Sequence, residues 1–246
     1  MFLHAGSLPR VQAHHHPNIG RLLQPRDYSR LADTLGAGYQ VAIDNDGWHG
    51  VDFPKFARML ASIRLTIFGQ LPSIGQLIQH AGYPWPRPVD PRERNPFGEP
   101  PPMMAAPPGN LLWVVVPDFV ANARDTLAQF QWLHPLMADL PLAFAVQDGA
   151  GDAGIPWGAP GLRCLFLAGS DRYKLSAEMA EIAAVGKRQG LLVHGARCNS
   201  GKRARYFASI GCDSFDGTGA SMFPKLIPEY LEWAAAPAPT QQRLFL

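Results

Sequence analysis

Cysteine is scarce and scattered: Cys164, Cys198 and Cys212 are the only three, with no CxxC or CxC pair among them. That excludes a disulfide-stapled miniprotein and a closed four-cysteine zinc site, and it predicts a reducing compartment. Long apolar runs are missing too. No stretch approaches the roughly 18 consecutive apolar residues of a membrane span, and the opening MFLHAGSLPR lacks the apolar centre of a signal peptide. A soluble, cytoplasmic protein with no membrane partner is expected. Nor is there an excess of one charge: 22 Lys and Arg stand against 20 Asp and Glu, a net +2. Bulk electrostatics therefore cannot hold a nucleic acid, and such a partner has to meet a local basic patch. Lysine is the rarer base, five against 17 arginines, and the planar guanidinium suits phosphate and base edges better than a point charge does.

With 246 residues, 47% of them hydrophobic and 17% charged, the chain has enough material for one large core and is too apolar for a disordered polypeptide. From Leu111 onward short apolar runs alternate with helical patterns, the mark of repeated βα units around a parallel sheet. Strands are predicted at Leu111 to Val116, Leu142 to Gln147, Cys164 to Gly169, Leu191 to Gly195 and Cys212 to Phe215, with two more at Phe2 to Gly6 and Tyr39 to Asp44. Helices are predicted at Phe53 to Ser62, Ala121 to Met137, Ser176 to Gln189, Ser200 to Ile210 and Lys225 to Ala235. That makes seven strands, with an eighth expected in the weakly patterned Leu65 to Gly69 stretch. The economical fold is a single-domain α/β protein, a (β/α)8 TIM-like barrel over residues 1–235. Ten prolines among residues 84–109 make that segment an inserted loop, since proline lacks the donor a central strand needs. Residues 236–246 read as a C-terminal tail. His14 to His16 read as a solvated loop, with a metal-binding tract as the other use.

In a parallel barrel the loops after the strands build the active site, so polar residues just beyond apolar runs are the candidates. They are Asp44 and Asp46 in AIDNDGW, Asp118 in VVPDFV, Gln147 and Asp148 in FAVQDG, Ser170 and Lys174 in LAGSDRYKL, His194 and Arg197 in VHGARCNS, and Asp213 and Asp216 in CDSFDGTG. Carboxylates converging on one face repel each other and shift each other's proton affinity, an arrangement suited to acid, base or nucleophile work or to a divalent cation. Any one of Asp44, Asp118 or Asp148 alone reads as a helix cap. Asp213 reads as a turn or capping residue and His194 as a satisfied, half-buried histidine.

These strings, together with NIGRLLQPRDYSR, VVPDFVANARDTL and HGARCNSGKRARYFASIGCDSFDGTG, resemble the small phage-type relatives of the tRNA-guanine transglycosylases over residues 18–62 and 110–223. The resemblance implies exchange of guanine in DNA for a free 7-deazaguanine base, with no metal and no cofactor. It implies Asp216 as nucleophile and Asp44 as general acid/base. Asp118, Gln147, Asp148, Gly169 and Ser170 would then lie against the base, and Arg197, Asn199, Lys202, Arg203 and Arg205 against the nucleic-acid backbone. The chain departs from the family in lacking the cysteine-rich zinc motif of the tRNA enzymes and in carrying AGSDRYKL where the small relatives show G-G-S-T-x-W-K-L. Three other readings stay open: the same exchange on tRNA, a nucleobase-binding protein without turnover, and a metal-dependent barrel lyase or hydrolase.

Overall fold

The computed structural model describes residues 1–5, 16–68 and 110–235. The proline-rich segment 84–109 and the tail 236–246 lie outside the described residues. Eight parallel strands close into a barrel in sequence order: β1 (Phe2–His4), β2 (Ile19–Leu23), β3 (Val41–Ile43), β4 (Leu111–Val115), β5 (Leu142–Val146), β6 (Leu162–Leu167), β7 (Leu192–Gly195) and β8 (Ser214–Asp216). The barrel shuts where β1 meets β8, with Phe2 opposite Phe215 and Leu3 opposite Asp216. The expected TIM-like architecture is therefore present.

One strand expectation is corrected. Leu65 to Phe68 continue the helix Phe53–Phe68, and the remaining strand is Ile19–Leu23. Its sequence, IGRLL, hides the strand because Arg21 interrupts the apolar run. The strand is nonetheless buried along its whole length, Arg21 included at 1% exposure. Arg21 lies on the outer, helix-covered face, where its Nη1 sits 3.4 Å from Nδ1 of His4 on the neighbouring strand.

Strands of a parallel barrel are covered on both faces, which is why β5 is buried at every position. Side chains alternate between the two faces. The inward set forms one cluster that includes Leu3, Leu22, Ala42, Trp113, Ala143 and Phe166, while Phe2, Ile19, Val41, Val114 and Leu142 face the helices. An eight-stranded barrel is just wide enough for side chains to fill it. Alanines at positions 42, 143, 145 and 196 leave the room that Trp113 and Phe166 take, their rings meeting edge to face at 5.5 Å.

The helices begin where a polar side chain satisfies the first orphan backbone donors. Asn122 caps Ala123–Met137, Ser176 caps Ala177–Arg188 and Ser200 caps Gly201–Ser209, each accepting from the N–H three residues on. Ala121 is excluded from its predicted helix by a left-handed backbone (φ 59). The last helix is Ile227–Ala235, after a 3-10 turn over Pro224–Leu226. Among the described residues no helix is long and apolar enough to cross a membrane.

One ion pair fastens two outer helices. Arg64 of Phe53–Phe68 grips Asp139, just past Ala123–Met137, through Nε at 2.8 Å and Nη2 at 2.7 Å, with the two side chains 12% and 8% exposed. Two parallel bonds in a mostly buried setting make removal of one partner costly, because the other charge stays behind. Arg64→Ala is expected to lower the unfolding free energy by about 2–3 kcal/mol in urea titrations. A loss below about 0.5 kcal/mol, the level of an exposed pair, would remove this fastening role.

Candidate active site

Strand alternation builds the site. Beyond the inward apolar layer the next inward positions are Asp44 after Ala42, Gln147 after Ala145, Ala168 after Phe166, Ala196 after His194 and Asp216 after Ser214. With Asp118, two residues past Val116, they line a pocket at the C-terminal mouth of the barrel that encloses about 490 Å³ of empty space, part of it open to solvent.

Asp216 is the least exposed of the pocket's carboxylates, at 7%. Its Oδ1 accepts the backbone N–H of Arg197 at 3.0 Å and meets Nε2 of His194 at 3.0 Å, while Oδ2 has no partner among the described residues. Arg197 turns its N–H inward by adopting a left-handed backbone (φ 56). His194 is fully buried, stacked on Phe166 at 5.0 Å and set edge-on to Trp113 at 5.0 Å. Its Nδ1 lies 2.8 Å from Ser214 Oγ, so a neutral ring that donates from Nε2 to Asp216 accepts the serine hydroxyl at Nδ1. His194 thus exceeds the sequence reading of a satisfied, half-buried histidine, because the group it satisfies is Asp216. Glycine is required at 217: a Cβ there would stand 2.3 Å from the Cys198 carbonyl oxygen and 2.9 Å from Asn199 Oδ1.

Asp44 and Asp118 sit where charge is disfavoured. The Asp44 carboxyl is pushed up from 3.8 to about 7, first by burial and then by the charges of Asp216, Asp118 and Asp46. Asp118 is also raised by burial, against the pull of hydrogen bonds from Asn45 and Gln147. Asn45 donates Nδ2 to Asp118 Oδ1 at 2.6 Å and to the Val116 carbonyl at 3.0 Å, and its Oδ1 accepts the Gly47 N–H at 2.7 Å. Gln147 donates Nε2 to Asp118 Oδ2 and accepts the Ala121 N–H at Oε1, 2.8 Å. Both amides are therefore committed to aiming Asp118. Gly47 cannot carry a side chain, since a Cβ would fall 2.7 Å from Asp118 Oδ1.

The other expected residues divide. Gly169 lines the pocket. Asp148 does not reach the pocket wall: its two oxygens accept the N–H and hydroxyl of Ser170, at 2.7 and 2.6 Å, and hold the Gly169 turn from beneath. Asn199 likewise acts on the backbone, accepting the Thr218 N–H at 3.0 Å. Arg197 lines the pocket and stacks its guanidinium 3.7 Å over the Trp48 ring, across the mouth. Arg203 pairs with Asp171 at 2.6 Å, and Lys202 and Arg205 are exposed on the same helix.

Two pocket side chains, Asn45 and Trp48, were not among the sequence candidates, whereas the strand-end candidate Lys174 does reach the pocket. Asn45 and Trp48 both follow Asp44 in the DNDGW turn, and an exposed Trp in a Gly- and Asp-rich turn is the signal that marks them. Lys174 is 2% exposed, lines the pocket, and pairs with Asp171 at 3.3 Å. Burial lowers its proton affinity. Among the described residues no three His, Cys, Asp or Glu side chains come together in a way that would hold a metal ion.

The raised carboxyl of Asp44 has a definite pH signature. The folded state holds its proton up to about pH 7 whereas the unfolded chain releases it near 3.8. Its contribution to stability is thus greatest below pH 4 and is lost as pH rises through 7. Asp44→Asn should flatten the fall in unfolding free energy between pH 5 and pH 8 by about 1–3 kcal/mol, read from urea titrations. An unchanged slope would mean that Asp44 ionises normally in the folded protein.

No protein-family model, curated protein or solved structure matches this chain.

Proposed function

We propose that this protein is a base-exchange transglycosylase that replaces guanine in DNA with a 7-deazaguanine precursor through a glycosyl-aspartate intermediate. The observation that carries the reading is the pairing, in one pocket, of a carboxylate with a free oxygen, Asp216, and a carboxyl that keeps its proton to about pH 7, Asp44. One suits attack and the other suits proton delivery, a division of labour set by environment. Two readings of the same pocket, exchange on tRNA and binding without turnover, make different predictions in the assay below.

In the first half-reaction Asp216 Oδ2 bonds to the sugar C1′ as the bond from C1′ to the purine nitrogen breaks, through an oxocarbenium-like state. Asp44 gives its proton to the departing purine. In the second half the ring nitrogen of the incoming base attacks C1′, its proton passes to the Asp44 carboxylate, and the ester to Asp216 is broken. Asp118, aimed by Asn45 and Gln147, accepts further N–H donors from the guanine edge, so a base without those donors leaves the remaining acceptor capacity of a desolvated carboxylate unmet. Extruding a base from a duplex costs a few kcal/mol, which phosphate contacts from Arg197, Lys202, Arg203 and Arg205 offset.

Incubation with guanine-containing DNA and labelled guanine is expected to incorporate label. Asp216→Ala should abolish incorporation, and Asp44→Asn should slow it by about 10²–10⁴. Adding tRNA as competitor separates the polymers: DNA labelling should persist. Equal label with wild type and Asp216→Ala, or none with either, removes the exchange reading.

A further inference from the structure

A second cavity adjoins the candidate active site. It encloses about 820 Å³ of empty space, also partly open, and shares Gly47, Trp48, Asp118 and Val120 with the first pocket as a common wall. Its remaining surface is mostly apolar, with Gly50, Val51, Phe53, Pro117 and Phe119, two of them aromatic. The exception is Gln129, on the inner face of the helix Ala123–Met137. It is 3% exposed, it lines this cavity, and its Nε2 has no hydrogen-bond partner. A buried amide without partners costs about 1–3 kcal/mol, a cost that a ligand's hydrogen-bonding edge removes.

The lining restricts the occupant. No Lys, Arg or His among the described residues borders the cavity, and the Asp118 carboxylate does, so a phosphate or carboxylate ligand is disfavoured. Three aromatic side chains on the lining, Trp48, Phe53 and Phe119, favour a planar partner. Trp48 and Val120, at the shared rim, are 58% and 38% exposed, leaving apolar surface open where the two pockets meet.

We infer that this cavity is a second base position: it takes a neutral, planar nucleobase whose amide-like edge pairs with Gln129. The occupant is either a free base or a base of the polymer next to the one in the first pocket. Both carry the same chemistry, and the inference concerns a ligand position that base exchange by itself does not require.

The test is equilibrium binding of the whole chain to labelled guanine and, separately, to short single-stranded DNA. Wild type is compared with Gln129→Leu, which removes the amide at similar volume, and Val51→Trp, which fills the cavity from its rim. Gln129→Leu deletes only an unpaired group and serves alone if Val51→Trp does not fold. If the occupant is a free base, the variants bind one equivalent of guanine fewer per chain than wild type. If it is a polymer base, guanine stoichiometry is unchanged and affinity for single-stranded DNA falls about tenfold. Unchanged guanine stoichiometry together with unchanged DNA affinity overturns the inference and leaves the cavity to water. Because binding is read, failure of base exchange in wild type would remove the proposed reaction without deciding this one.

Discussion

Three carboxylates, Asp44, Asp118 and Asp216, open into one desolvated pocket, and their mutual repulsion is the constraint around which the rest of the mouth is arranged. Charges brought this close in a low-dielectric setting cannot all be ionised without cost, so the protein has to supply donors, spread the load, or leave one group protonated. It does all three. Asp118 receives two side-chain amides, Asp216 receives a backbone N–H and an imidazole, and Asp44 is left with its proton.

Much of the surrounding sequence is spent on holding these groups still. Asn45 and Gln147 are each bonded both to Asp118 and to backbone, and so orient that carboxylate. His194 couples Asp216 to Ser214 across the barrel interior, wedged between Trp113 and Phe166, so the aromatic layer that closes the barrel also sets the imidazole plane. Asp148 performs a comparable service for the Gly169 turn. Each bond of this network positions the next, which ties the precision of the mouth to the packing below it.

The rim is less crowded than the floor. Trp48 and Arg197 meet across the opening, bringing the loops after β3 and β7 together above the carboxylates. Cation–π contacts at exposed sites contribute about 0.5–1 kcal/mol, weak enough to be exchanged for contact with a ligand. Part of the wall between the two cavities is the short turn that carries Gly47 and Trp48, so any movement of that turn is felt on both sides.

Seven of the eight strands, the main helices and every carboxylate of the pocket were legible in the sequence, because apolar runs of period two and helical stripes record burial directly, and because a polar residue just past such a run lies at the strand end. The eighth strand was not legible, since Arg21 is charged by composition and becomes buried only in the folded barrel, where it meets the neighbouring His4. Nor could composition divide Asp148 from Asp118, or show that Gln147 serves Asp118 instead of standing free. Those outcomes depend on which side chain arrives within about 3 Å of which other, and closure of the barrel alone brings such distant parts of the chain together. The amino-acid order by itself determined the repeat of βα units and the acidic character of the strand ends. Tertiary structure alone decided which acid keeps its proton, because desolvation and like-charge repulsion exist only once the strands have converged.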